Sequence, residues 1–237
     1  NKLSNDWGRS KGGLNSSGSR IKIFRAPELS IPLAELCGTI LGDGHLEYYQ
    51  DGKKIRCYSL TVTGHSIEDL NYLKIHVNNL IKQLFDYSCR YKGSSTKQAI
   101  YLIVNGKRLV EFFGELGLKP GNKKTNNQGI PNWILCNEGY LKACLRGLID
   151  TDGSIHYISK NNKNLRISFT SYIPKLIEEV RNSFLKLGFH PSKIIREKQI
   201  FLTRKQDINH YLNTIGFNND KHLNRLKKFT QHRALVE

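Results

Sequence analysis

The sequence predicts an α+β fold in which one αββαββα unit is written twice, and three observations carry that prediction. Two helix-like segments end on the same small-residue spacing and the same Asp-Gly pair. Behind each comes a strand pair whose second member alternates apolar and polar residues. The order of elements then repeats at a near-constant offset, as in a duplicated chain.

Residues 1–30 are rich in Gly, Ser, Asn and basic residues, with Gly12-Gly13 and Ser16-Ser17-Gly18-Ser19. They read as a flexible basic N-terminal arm, to be ordered by a partner or by the body of the protein. Ser30 and Pro32 mark a helix start.

The first half, 31–131, opens with a helix over 32–42 that ends in Gly42-Asp43-Gly44. The second, 132–237, opens with a helix over 138–150 that ends in Thr151-Asp152-Gly153. Strands over 45–49 and 55–63 follow the first, and 154–159 and 164–170 the second. Tyr58, Leu60 and Val62 match Leu165, Ile167 and Phe169 on an apolar face. Cys57, Ser59, Thr61 and Thr63 match Asn164, Arg166, Ser168 and Thr170 on a polar one. Period-two alternation marks a sheet with one face on a core and one free for water or a ligand. Each half continues with a long helix, 66–84 or 173–188, and a second strand pair. There Lys97-Gln98-Ala99-Ile100-Tyr101-Leu102 parallels Lys198-Gln199-Ile200-Phe201-Leu202. A last helix in each half ends near Gly117 or Gly216.

The 237 residues carry 37 Lys+Arg against 20 Asp+Glu, a formal net charge of +17. Self-repulsion on that scale opposes compaction unless a polyanion is the partner, and nucleic acid is the favoured one. The five cysteines are scattered and contain no C-x-x-C pair. That pattern fits reduced thiols in an intracellular protein, bacterial, archaeal or organellar, and argues against structural zinc. No apolar run approaches the ~18 residues of a spanning helix, and no signal-peptide pattern opens the chain.

Ala34, Gly38 and Gly42 lie four apart before Asp43, and Ala143, Gly147 and Thr151 lie four apart before Asp152. Residues four apart share a helix face, so each helix presents a stripe with almost no side chain. Two such stripes can pack closely and bring both aspartates out at one end. Either aspartate alone reads as an ordinary turn residue. An acidic group at a helix C-terminus opposes the macrodipole, however, and here the unfavourable choice is made twice. Two carboxylates held together call for a positive group between them, most simply a divalent cation.

The run Leu145-Arg146-Gly147-Leu148-Ile149-Asp150-Thr151-Asp152-Gly153 resembles the LAGLIDADG motif with two mismatches in nine, and Leu36 through Gly44 is a looser copy. Over about 32–230 the chain resembles the single-chain, two-motif LAGLIDADG homing endonucleases. The resemblance implies two pseudo-symmetric halves packed through the motif helices, with antiparallel sheets forming a DNA-binding saddle. It implies a monomer on double-stranded DNA that makes a double-strand break in a long asymmetric site, as in intron homing. Hydrolysis would use Mg²⁺, two or more divalent cations in all, with Mn²⁺ or Ca²⁺ able to substitute in binding. Asp43 and Asp152 would be the acidic ligands, with the carbonyls of Gly42 and Thr151 beside them. Leu41 stands where the earlier acidic residue of the motif would be, so Asp150 is left to a structural or capping role. Relatives place a lysine near each scissile phosphate; Lys123 and Lys221 fit best, with Lys119 and Lys124 as rivals. Thr61 and Ser168 take positions that line a water pocket in relatives. DNA contacts would come from Lys53, Lys54, Arg56, Arg90, Lys92 and Lys97, and from Lys160, Lys163, Arg166, Arg196, Lys198 and Arg204. The alternative on the same scaffold is an intron maturase, an RNA-binding splicing cofactor.

Overall fold

The computed structural model describes residues 24–52, 54–94, 97–159, 161–162 and 164–234. The expected N-terminal arm lies outside these residues except for 24–30. There the Phe24 ring packs on Phe85 and Phe112, at 6.0 and 5.7 Å between centroids, which ties the segment to the first half's core.

Helix α1 (Ile31–Leu41) starts after an extended Ser30, with Pro32 in its first turn, and every residue from Leu33 to Leu41 is buried. Strands β1 (Gly44–Asp51) and β2 (Lys54–His65) follow. A wide π-type turn of helix (Tyr72–Val77) runs into α2 (Asn78–Phe85), then come β3 (Arg90–Gly93), β4 (Ala99–Asn105) and α3 (Lys107–Glu115). A short helix α4 (Asn132–Leu135) leads into the second half. It comprises α5 (Glu138–Asp152), β5 (Gly153–Tyr157), β6 (Leu165–Thr170), α6 (Pro174–Lys186), β7 (Gln199–Leu202), α7 (Lys205–Thr214) and α8 (Asp220–Ala234).

The first sheet has the antiparallel order β1-β2-β4-β3, the second β5-β6-β7. Val62 pairs with Gly44 and Phe169 with Gly153, so the two sheets share one register relative to the motif helices. Leu60, Val62, Ile167 and Phe169 are buried, as the alternation predicts. Gly117 and Gly216 have φ of +99° and +70°, the left-handed conformation that ends α3 and α7.

Three features differ from expectation. Helix α5 continues through Asp152 instead of ending at 150. In the second half, the partner expected for β7 is reduced to a bridge between Ile195 and Gln199 and a Ser192 N–H bond to the Phe201 carbonyl. Pro191 offers no N–H to extend that ladder, and Arg196 and Glu197 turn the chain back with φ of +48° and +58°. Finally, α8 has no counterpart in the repeat, which does not predict it.

The halves meet along α1 and α5, whose small-residue stripes touch. A Cβ on Gly38 would lie 2.1 Å from the Cys144 carbonyl oxygen, and one on Gly147 2.3 Å from that of Glu35. Ala34 and Ala143 are buried in the same seam. Backbone against backbone leaves nothing flexible to yield. Gly38→Ala or Gly147→Ala is therefore expected to destabilise the protein by about 3 kcal/mol or more. Gly114, inside α3 with open space where a Cβ would go, should behave oppositely, with Gly114→Ala stabilising by about 0.5–1 kcal/mol. Urea unfolding of the three variants checks both signs.

Candidate active site at the paired helix ends

Because the stripes hold α1 and α5 together, their C-terminal ends converge. A Cβ on Gly42 would lie 2.0 Å from Thr151 Oγ1 and 3.6 Å from Asp152 Oδ2, so the second aspartate reaches across the end of the first helix. Burial, and then the charge of Asp43, push the Asp152 carboxyl up to about 7. Burial also raises Asp43, against the pull of Lys221 and Lys123. Each carboxylate follows helix carbonyls that have no helical N–H partner, so the site is a concentrated set of oxygen acceptors.

Two ammonium groups occupy this set. Lys123 Nζ donates to the carbonyls of Ile40 at 3.2 Å, Leu41 at 2.8 Å and Gly42. Burial lowers its pKa, opposed by Asp152 and Asp43. Lys221 Nζ lies 3.4 Å from the Thr151 carbonyl and 3.0 Å from Asp69 Oδ1. The lysines are thus placed alike on opposite helix ends. Lys123 sits in a loop fixed by the Gly121 N–H on the Leu46 carbonyl (2.8 Å) and by the Gln128 side chain, which bridges Lys119 N–H and the Gly117 carbonyl. Lys221 sits in the first turn of α8, its N–H received by Asn219 Oδ1 at 3.1 Å. Of the rival lysines, Lys119 is exposed outside the site and Lys124 lies at its rim. A cleft of about 560 Å³ opens here, lined by Gly42, Lys123 and Asp152 with His45 and Tyr172.

Asp150 faces away from this cleft. Its Oδ2 accepts the Asn218 N–H at 2.9 Å and its carbonyl the Asn219 amide at 3.0 Å, holding the segment that delivers Lys221. Burial raises its carboxyl to about 7. Close by, the buried Glu35 carboxylate on α1 receives Arg146 from α5, His76 at 2.7 Å and the Asn218 amide at 2.6 Å. Burial would raise Glu35, but His76 and Arg146 outweigh it and bring the carboxyl down to about 2.

The sheet faces turned from the core carry the other predicted groups. Cross-strand partners share a face, and one row of the first sheet runs His45, Thr61, Ile103, Arg90, the next Thr63, Tyr101, Lys92. On the second sheet, Ser154, Ser168 and Phe201 form one row, and His156 and Arg166 another. The guanidinium of Arg166 lies 4.3 Å from the centre of the Phe201 ring. Arg90, Lys92 and Arg166 therefore stand on these polar faces. Lys97, Arg196 and Lys198 lie in the turns at their ends, and Arg204 precedes α7. Lys53, Lys160 and Lys163 are outside the described residues, as are the side chains of Lys54 and Arg56. Thr61 and Ser168 hold equivalent mid-sheet positions, but neither lines the cleft at the helix ends. Sequence reasoning missed Asp69, and it missed Arg225 of α8, which reaches Ser154 Oγ at 3.1 Å and Glu68 at 3.5 Å. Asp69 has Leu176 at the equivalent place and Arg225 lies in a helix the repeat lacks, so the repeat carries no signal for them.

Residues 139–216 match the family described as LAGLIDADG-like domain. The chain is 28% identical over 209 residues to the replication factor C small subunit of Methanocaldococcus jannaschii, covering 79% of this chain and 11% of that protein. It is 31% identical over 187 residues to an A-type ATP synthase subunit of Pyrococcus abyssi, covering 76% and 16%. The chain thus spans a small part of the curated relatives it matches, whose named activities differ from one another. Among solved structures, I-DmoI in complex with DNA and Ca superposes with a TM-score of 0.58 at 21% identity, covering 78% of this chain and 88% of that one. I-LtrWI, a LAGLIDADG homing endonuclease bound to target DNA, gives 0.55 at 13% identity over 87% and 90%.

The Glu35 cluster makes a stability prediction. A carboxyl whose folded pKa is depressed stabilises fully above its ordinary value of 4.5 and loses that contribution as pH falls toward about 2. Glu35→Gln should therefore cost about 3 kcal/mol at neutral pH, by leaving Arg146 without its counter-ion. The gap between variant and parent should close as pH falls through that window. Denaturant midpoints measured across the range check it.

Proposed function

We propose that this chain, whose residues 139–216 match the LAGLIDADG-like domain, is a site-specific DNA endonuclease that makes a double-strand break in a long asymmetric target. The observation that carries this reading is the pairing at the helix ends: two carboxylates and two lysines, one of each from either half, meet at one place. A protein that only bound nucleic acid would have no use for buried carboxylates there. The same point favours a nuclease over a maturase that splices without cutting.

The donor set suits a hard divalent cation. Two carboxylates and the carbonyls of Gly42 and Thr151 are all oxygens, and positive charge is already drawn to them in the form of Lys123 and Lys221. Asp43, Asp152 and these carbonyls would hold two or more such ions, Mg²⁺ by preference, supplying an activated water and neutralising charge on the phosphate. Among solved relatives of this fold, I-DmoI structures are described with Ca, Mn and Mg. In this reading Lys123 and Lys221 would exchange their helix carbonyls for non-bridging phosphate oxygens when substrate binds.

The polar faces of the two sheets would lie along the major groove, Arg90, Lys92 and Arg166 reaching phosphates or base edges from rows that hold different residues in the two halves. That difference supports an asymmetric target, read by a monomer. Among the described residues, no helix is long and apolar enough to cross a membrane.

Asp43→Asn and Asp152→Asn are each expected to abolish double-strand cleavage of a site selected from a randomised DNA library, while binding in Ca²⁺ persists. Full cleavage by either variant overturns the ligand assignment. Affinity should fall roughly 10³-fold or more between about 50 and about 200 mM salt, as several phosphate contacts require. A flat salt response would refute the DNA reading.

A further inference from the structure

The two lysines are not held alike, and the difference rests on one carboxylate. Asp69 and Lys221 form an ion pair at 3.0 Å with both side chains almost buried. Asp69 is itself fixed: Oδ2 accepts the His65 N–H at 2.8 Å and Oδ1 accepts the Asn219 amide at 2.8 Å. The Asn219 side chain also receives the Lys221 N–H. Asp69, in the first half, thus sets both the backbone position and the ammonium of a lysine in the second.

Lys123 has no such partner. Among the described residues its ammonium bonds to the carbonyls of Ile40, Leu41 and Gly42, and no carboxylate is paired with it. The strand register explains why. Val62 corresponds to Phe169, which makes Leu176 the counterpart of Asp69, and Leu176 is fully buried. Nor does Asp69 complete a metal cage: its oxygens are taken by His65, Asn219 and Lys221, and among the described residues no three His, Cys, Asp or Glu groups are placed to hold a metal.

We propose that Asp69 is a positioning residue for Lys221, so that cutting of the two DNA strands is unequal by construction: the strand served by Lys221 depends on Asp69, and the strand served by Lys123 does not. This rests on the endonuclease reading above. Asp69 does not touch substrate; it holds the ammonium at the end of α5, where a misplacement of an ångström is costly.

The test uses the full chain, Mg²⁺ and a selected target with each strand labelled separately. Lys123→Met and Lys221→Met first show which strand each lysine serves. Asp69→Asn should then slow the Lys221 strand roughly 10-fold or more relative to the other, so that nicked DNA accumulates. Asp69→Ser, which keeps an oxygen for the His65 N–H, should give the same bias. The double variant Asp69→Asn with Lys221→Met should cut that strand no more slowly than Lys221→Met alone. Both strands are cut by the same molecules, so loss of folded protein cancels in the ratio. Equal slowing of the two strands, a bias toward the Lys123 strand, or lysine variants without strand preference overturns the proposal. A parent protein that cuts no DNA removes the endonuclease reading and this inference with it; cutting without bias removes only this inference.

Discussion

The approach of the α1 and α5 backbones at Gly38 and Gly147 is the constraint on which the rest of the molecule depends. With side chains of ordinary size at those positions, the helices would stand farther apart and their ends would not share one space. Close packing instead points two sets of terminal carbonyls, each the negative end of a helix macrodipole, at the same spot. Two aspartates are added there. The energetic problem is severe, and Asp152, pushed up to about 7, registers it. Lys123 and Lys221 answer it by reaching in from other elements. In the proposed reaction, a phosphate and its metal would take the place of these ammonium groups.

The two motif helices set this geometry alike, and the residues that differ between them make it one-sided. Around the pseudo-twofold, Glu35 corresponds to Cys144, Arg146 to Cys37 and Asp150 to Leu41. One flank of the helix pair is therefore a buried polar network joining the halves through Glu35, Arg146, His76 and Asn218, and the other is apolar. A buried ion pair contributes little net stability against an apolar isostere, but it penalises a wrong partner heavily. The arrangement specifies that the first half pairs with the second and not with another copy of itself. Asp69, opposite Leu176, is the same kind of difference, carried to Lys221.

Periodic features were legible in the sequence because each repeats a local rule. The stripe Ala34, Gly38, Gly42 has only one use when it recurs at Ala143, Gly147, Thr151, and the alternation through Leu60 and Ile167 fixes the buried faces of both sheets. Gly117 and Gly216 mark helix ends by their conformation alone. What the sequence hid has no period. Asp69 and Lys221 are far apart in the chain and meet only once α8 has docked beside β5; Glu35 and Arg146 meet only across the seam. The strand missing beside β7 was misjudged for the opposite reason. The repeat predicted it, and Pro191 with the turn at Arg196-Glu197 locally overrules the repeat.

The same two motifs also bind the reading face to the chemistry. Gly44 and Gly153 begin β1 and β5 directly after the aspartates, and a Cβ on either would strike the last turn of its own helix, at Ile40 or Ile149. No linker intervenes in which a sheet could shift relative to its carboxylate. In the proposed reaction, a base pair held by the row of Arg90 or of Arg166 is therefore at a set distance from the phosphate presented to Asp43 or Asp152. Recognition and cutting position are fixed together, by glycine at the two places where any larger residue would push strand from helix. Specificity in such a protein is changed on the sheet faces, where residues differ freely between the halves, and not at the Asp-Gly pair that both helix ends keep.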